Sequence, residues 1–318
     1  MNFEYCRKHP YHTLDELSGL PFYDYYIASF ALSDRIRIPS SRIKSNKYIW
    51  FVTENDQSKI CVQDNVQIVT IQNAEEDYLQ IMELIKSLDL GYKRICIDAT
   101  GFFIPNLLFL IRYLQISAIT KFDILYTEPI RYKKAEDTMF SDSFYNVKQI
   151  IGLGGTHISQ TENDVLIIAA GYDGSRISDV ANQKWEAKKI LLFGFPAMSA
   201  SMFQENVYRA YDAESSLGSE CFKDMDMNIL APAYDPFLTA QALKEYMNKH
   251  FLKKKYTNIY FAPLSSKPQA LGMLLYYLWE EGWKKEMSFI YPICGVYYND
   301  NTEGIARIWL YEFELPNC

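Results

Sequence analysis

Five places in this chain put reactive side chains directly after short apolar runs. Asp98, Thr100 and Gly101 follow Ile95-Cys-Ile97. Tyr126 and Glu128 follow Ile124-Leu125. Tyr172, Asp173 and Arg176 follow Val165 to Ala170, with Gly171 between. Tyr234 and Asp235 follow Asn228 to Ala231, and Ser265-Ser266-Lys267 follow Ile259 to Ala262. If those runs are parallel strands, the reactive residues gather at one edge, because open parallel sheets bind ligands outside the carboxyl ends of their strands.

The chemistry on offer is of two kinds. Ser265, Ser266 and Lys267 precede Pro268, a residue suited to the first turn of a helix. A lysine there faces the positive end of the helix dipole, and a bound phosphate would remove that conflict. Thr100, Gly101 and Arg176 add small or cationic phosphate contacts, and Tyr126, Tyr172 and Tyr291 offer rings on which a base could stack. The second kind is acid–base or metal chemistry by Asp98, Glu128, Asp173 or Asp235. Each residue also has an ordinary role open to it, since Asp and Ser cap helices and fill turns.

Strands and helices must alternate to hold these groups. Strands are expected at Tyr25–Leu32, Tyr48–Val52, Val66–Ile71, 95–98, Asp123–Glu128, Val165–Ala170, Ile190–Phe195, Asn228–Ala231, Ile259–Ala262 and Phe289–Tyr291. Helices are expected over Ala74–Leu90, after Pro105, and over Ile177–Gln183, Ser201–Ala213, Pro236–Phe251 and Pro268–Glu281. Within Ala74–Leu90, Leu79, Met82, Ile85 and Leu88 set the apolar stripe. This reads as α/β: a Rossmann-like, largely parallel sheet covered by helices. A C-terminal antiparallel hairpin joins Val296–Tyr298 to Ile305–Leu315. The opening segment to about residue 20 reads as irregular. The polar bridge after Lys133 divides the chain into an N-terminal lobe, 1–135, and a C-terminal Rossmann-like lobe, 136–318, which could share one sheet.

One βαβ stretch reads as written twice. Setting Pro105 on Pro268 pairs Asn106 with Gln269, Leu108 with Leu271, Ile111 with Leu274 and Tyr113 with Tyr276 without a gap. Small gaps then bring Tyr126 to Tyr291.

Composition limits the function classes. The 318 residues are 49% hydrophobic, which supplies a packed core and argues against disorder. The net charge of −7 argues against general binding to a nucleic-acid backbone. No apolar run reaches the ~20 residues of a membrane span, and no Cys-x-x-Cys pair occurs, so a reduced, cytoplasmic setting is expected. Gly152, Gly154 and Gly155 fail the dinucleotide spacing, and the glycines of a Walker A loop are absent before Lys267. Cys6, His9 and His12 lack a fourth metal ligand nearby, and His157 stands in a turn with no serine elbow motif to pair with. Neither a metal nor another cofactor is expected.

Asp98-Ala-Thr-Gly101 after one strand and Ser265-Ser-Lys-Pro268 opening a late helix resemble the CARF sensors of prokaryotic immunity. Those are Rossmann-like dimers that bind cyclic oligonucleotides over the strand ends. Their late loop is Ser/Thr-Gly-Gly-Thr-Lys; here the glycine pair is missing and a proline is added. The resemblance implies nucleotide sensing and a homodimer, and no effector nuclease is carried over. The leading expectation is binding or sensing of a phosphate-bearing small molecule, a nucleotide, at the strand ends. The alternative is a nucleotide or nucleoside hydrolase or transferase using the strand-end carboxylates. A third reading is a catalytically silent subunit that binds a protein partner through aromatic surfaces.

Overall fold

The structure, a computed structural model, describes residues 2–60, 64–71, 77–132, 144–223, 228–251, 256–294 and 302–318. The chain divides into two compact units, each assembled from two stretches. The first comprises Cys6–Ala135 and Asn299–Cys318, the second Met1–Tyr5 and Glu136–Tyr298. The expected lobe boundary near 135 is one crossing point between them; the return of the C-terminal residues to the first unit is not visible in sequence, because strand pairing is non-local.

The first unit contains β1 (Lys8–Tyr11), β2 (Tyr23–Ser29), α1 (Asp34–Ser40), β3 (Ser45–Thr53), β4 (Val66–Ile71), α2 (Tyr78–Ser87), β5 (Ile95–Asp98), α3 (Ile104–Ile116), β6 (Lys121–Glu128) and β7 (Arg131–Tyr132). The second contains β8 (Phe144–Gln149), β9 (Val165–Ala169), α4 (Gly174–Gln183), β10 (Lys188–Gly194), α5 (Met202–Asp212), α6 (Glu214–Leu217), α7 (Glu220–Lys223), β11 (Asn228–Ala231), α8 (Pro236–Phe251), β12 (Ile259–Pro263), α9 (Lys267–Trp279) and β13 (Met287–Cys294). The chain then re-enters the first unit with β14 (Thr302–Glu303) and β15 (Arg307–Glu314).

Each unit has its own sheet, so the single shared sheet is corrected to two. The first runs β1-β15-β6-β5-β2-β3-β4 and the second β11-β10-β9-β12-β13-β8. Within the first, β4-β3-β2-β5-β6 are mutually parallel. Within the second, β11-β10-β9-β12-β13 are mutually parallel. Counting parallel strands from the start of each set, both read 3-2-1-4-5, five of the six strands of the doubly wound Rossmann order, whose crevice lies between strands 1 and 4. Beyond strand 5 each sheet gains an antiparallel strand, β15 beside β6 and β8 beside β13. The repeat seen in the sequence falls on the same place in both, strand 4, helix, strand 5.

The C-terminal strand is antiparallel, as expected, but its described partners are β6 and β1. The proposed first arm of its hairpin, 296–298, lies outside the described residues. The opening segment, read as irregular, forms β1 on the far side of β15; four residues of mixed polarity become a strand because an unpaired edge accepts them.

The strands are buried because β-branched and aromatic side chains suit a sheet covered on both faces. One face of the first sheet carries Tyr23, Tyr26, Ala28, Trp50, Cys96 and Leu125, closed by Leu17 and Ile36. In α2 the buried stripe is Tyr78, Ile81, Leu84 and Ile85, while Leu79 is 70% exposed. The stripe expected at Leu79 and Met82 is thus turned by one residue, with the Tyr78 ring packed on Phe109 of α3 at 4.7 Å. In the second unit nearly all of α9 is buried, and Phe3 from the N-terminal turn meets Trp279 at 6.5 Å.

Candidate functional site

The candidates divide between the two carboxyl edges. Asp98, Thr100, Gly101, Tyr126 and Glu128 belong to the first unit. Tyr172, Asp173, Arg176, Asp235, Ser265, Ser266, Lys267 and Tyr291 belong to the second. Thr100 and Ser265, expected over one sheet, stand over two, in the corresponding loop after strand 4 of each.

At the first edge the polar groups serve one another. Asp98 is fully buried and accepts the Tyr26 hydroxyl at 2.8 Å and the Thr100 amide at 2.9 Å. The Thr100 hydroxyl in turn accepts the Thr127 amide at 3.0 Å. Glu128, 1% exposed, accepts the Trp309 indole N–H at 2.6 Å and Arg307 Nε at 3.2 Å from β15. Arg35, from the start of α1, donates through Nε to the Thr127 carbonyl at 2.9 Å and lies 5.7 Å from the centre of the buried Tyr126 ring. Gly101 is held against Ser29 so closely that a Cβ would come within 1.9 Å of the Ser29 carbonyl oxygen. The guanidinium, carboxylates and backbone at this edge bond to one another.

Burial pushes the Asp98 carboxyl above its ordinary range, against the pull of Thr100, Tyr26 and Arg35; burial does the same to Glu128, opposed by Trp309 and Arg307. A raised carboxyl keeps its proton in the folded chain after the unfolded chain has released it. Its contribution to stability is complete below the unfolded value of about 4 and is lost as pH rises through the folded value. Replacing Asp98 by Asn removes that slope. Urea midpoints taken from about pH 3.5 to about pH 7 should therefore shift in favour of Asp98→Asn, relative to the parent chain, as pH rises. A difference that does not change with pH would contradict the raised value.

The second edge repeats the arrangement with more polar surface. Arg176, near the start of α4, donates to the Tyr291 hydroxyl at 3.0 Å and the Pro292 carbonyl at 3.4 Å, with its guanidinium 5.0 Å from the Tyr291 ring centre. Arg35 was missed in sequence, though the repeat extends to it: Ile27-Ala28 and Arg35-Ile36 align without a gap on Ile168-Ala169 and Arg176-Ile177. Tyr126 and Tyr291 are both buried and face these guanidiniums, so Tyr172 is the half-exposed ring among the three proposed for stacking. Gly171 makes the counterpart of the Gly101 contact, since a Cβ there would lie 2.1 Å from the Leu264 carbonyl oxygen. The β9–α4 and β12–α9 loops therefore touch at the crevice.

Caps account for three more candidates. Asp173 caps α4 through the Arg176 amide at 3.3 Å and also accepts the Ser175 hydroxyl at 2.6 Å. Asp235, fully buried, accepts the Phe237 and Leu238 amides at 3.0 and 3.1 Å at the start of α8. Ser266 caps α9 by accepting the Gln269 amide at 3.2 Å, and its hydroxyl donates to the Ala233 carbonyl. Lys267 is thus the first helical residue rather than the cap, and the capping oxygen that a lysine cannot supply comes from Ser266. Ser265, Ser266 and Lys267 are all half-exposed. Gln269, fully buried one turn in, donates to the Ala231 carbonyl at 3.3 Å and keeps an amide oxygen with no hydrogen-bond partner among the described residues.

Among the described residues no group of three or more His, Cys, Asp or Glu side chains could hold a metal ion, and no helix is long and apolar enough to cross a membrane. His9, considered with Cys6 and His12, pairs with Glu312 across β1 and β15 at 3.0 Å. No protein-family model matches the chain, and no curated protein matches it.

Proposed function

We propose that the second unit binds a phosphate-bearing small molecule, a nucleotide, at its carboxyl edge between the β9–α4 and β12–α9 loops. The observation that carries this reading is the meeting of those loops at the strand 1–strand 4 crevice, with Ser265, Ser266 and Lys267 half-exposed where α9 begins. The Ser265 hydroxyl, the Lys267 ammonium and the dipole of a thirteen-residue helix favour an anion there. The half-exposed Tyr172 would stack on a base, and the Gln269 oxygen would accept a donor from the ligand or from a water. Arg176 supports the loop from below through Tyr291 and Pro292. The likeness to CARF sensors is carried in this unit by the Ser265–Pro268 loop, which favours sensing over turnover.

Hydrolysis or transfer by Asp98, Glu128, Asp173 or Asp235 has weaker support, because each carboxylate is already committed to donors of its own chain. The test is calorimetric titration with inorganic phosphate, mononucleotides and cyclic dinucleotides. Lys267→Ala is expected to weaken binding by ~1–3 kcal/mol, the scale of a charge-assisted hydrogen bond, with little change in folding. Affinity should also fall between about 50 and about 500 mM salt, as screening shortens the reach of the charge. Equal affinity in the parent and in Lys267→Ala would remove the reading.

A further inference from the structure

At the opposite, amino-terminal edge of the second sheet stands a chain of hydrogen bonds that the ligand site does not use. Ser288, the second residue of β13, is bonded through Oγ to Nε2 of His157. His157 Nδ1 lies 3.0 Å from Oδ1 of Asn258, just before β12. The Asn258 amide nitrogen donates to Asp164 Oδ1 at 2.8 Å and to the Gln160 carbonyl at 3.1 Å. Asp164 also accepts the Thr257 hydroxyl and the Asn258 backbone amide. The direction of the chain follows. Because the Asn258 nitrogen faces acceptors, its oxygen must be the acceptor toward His157 and toward the Ile158 amide at 3.0 Å. His157 Nδ1 therefore donates to Asn258, and in the neutral tautomer Nε2 is left to accept the Ser288 hydroxyl. The imidazole is further fixed by stacking on Tyr260, centroids 5.0 Å apart and 8° from parallel, with Lys184 3.7 Å from the centre of that ring.

We propose that Ser288 and His157 form an activated-serine centre that accepts acyl groups from small esters, with Asn258 and Asp164 as positioning residues. A hydroxyl bonded to a base whose far nitrogen is oriented by a third group is the arrangement that nucleophilic catalysis needs. In the first step the Ser288 Oγ–acyl carbon bond forms and the ester C–O bond breaks. The hydroxyl proton passes to His157 Nε2 and from there to the departing alkoxide. In the second step water attacks the acyl carbon and gives one proton to His157, which passes it to Ser288 Oγ as the acyl–Oγ bond breaks and the carboxylic acid leaves with the other. The Gly155 amide donates to Ser288 Oγ at 3.3 Å. Ser288 is fully buried while His157 is exposed, so the turn that carries Gly155 and His157 must open to admit the acyl donor and close again to restore the His157–Ser288 bond before reaction. Reaction is accordingly slow and restricted to small acyl groups.

The experiment is labelling of the folded full-length chain with a fluorophosphonate probe and with p-nitrophenyl acetate, the adduct located by peptide mass spectrometry. Expected is a single adduct at Ser288, absent in Ser288→Ala. The rate should fall by about 100-fold or more in His157→Ala and by about 10-fold in Asn258→Ala. Added imidazole should restore part of the His157→Ala rate, which a merely structural histidine would not show. Circular dichroism identifies any variant that fails to fold, and His157→Gln then serves in its place. No adduct on the parent chain, an adduct elsewhere, or equal rates in the parent and the histidine variant would overturn the proposal. Since the ligand site lies at the other edge of the sheet, loss of phosphate binding in Lys267→Ala with unchanged labelling separates the two.

Discussion

A chain ending at Gly304 is expected to lose the fold of the first unit and to keep that of the second. Removing β15 takes away eight paired positions along β6, Arg307–Glu314 against Glu128–Lys121, and the only described partner of β1. It also removes Ile308, Trp309, Leu310, Tyr311, Phe313 and Leu315, every one less than 5% exposed. At about 1.5–3 kcal/mol for each large apolar side chain, the loss is of the same size as the ~5–15 kcal/mol that stabilises a whole domain. Glu128 would in addition be left buried without Trp309 and Arg307. Limited proteolysis followed by mass spectrometry should show cuts throughout Cys6–Ala135 and protection across β9 to β13. A truncated chain as resistant as the parent over Cys6–Ala135 would contradict this account of the sheet.

The second large effect is expected from a single methyl group. Gly101→Ala and Gly171→Ala each place a Cβ about where a backbone carbonyl oxygen already lies, 1.9 Å from Ser29 and 2.1 Å from Leu264. A side chain could rotate away, but a carbonyl at the end of a sheet strand cannot, so the touching loops must part. The cost is expected to be about 3 kcal/mol in each case, toward the upper end for overpacking. Gly19→Ala is the control, because a Cβ there meets nothing within 4 Å. Urea denaturation of the three variants measures the difference. Gly171→Ala should also weaken phosphate binding by displacing Ser265, whereas Gly101→Ala acts in the other unit and should leave binding unchanged. A Gly101→Ala or Gly171→Ala chain as stable as Gly19→Ala would show that the loops are not in contact.

The repeat was legible in sequence at the helix and only half legible at the site. Pro105 and Pro268 open α3 and α9, and Tyr126 and Tyr291 fall within β6 and β13, which run on to Glu128 and Cys294 rather than ending at the tyrosines. Arg35 escaped notice because Phe30 and Gly171, its neighbours in the aligned loops, are unlike in character; the guanidiniums become comparable once both are seen crossing from strand 1 to the carbonyl at the end of strand 5. Lys267 was placed within one residue, since proline fixes a helix start. That Ser266 supplies the cap is a matter of backbone angles, which a run of two serines leaves open.

By itself the sequence determined the α/β class, the alternation of elements and the residues at the strand ends. Those depend on local periodicity, on proline and glycine, and on short apolar runs, all of which act within a few residues. Only the tertiary structure decided that there are two sheets, that β1 and β15 join the first, and that Asp98, Glu128 and Asp235 are buried in bonds to their own chain. Pairing, burial and the direction of a hydrogen-bond chain such as Ser288–His157–Asn258–Asp164 depend on partners distant in sequence, 131 residues apart for His157 and Ser288 and further still where β1 pairs with β15. Local pattern carries no information about such partners, because the free energy that selects them is gained only when the distant surfaces meet.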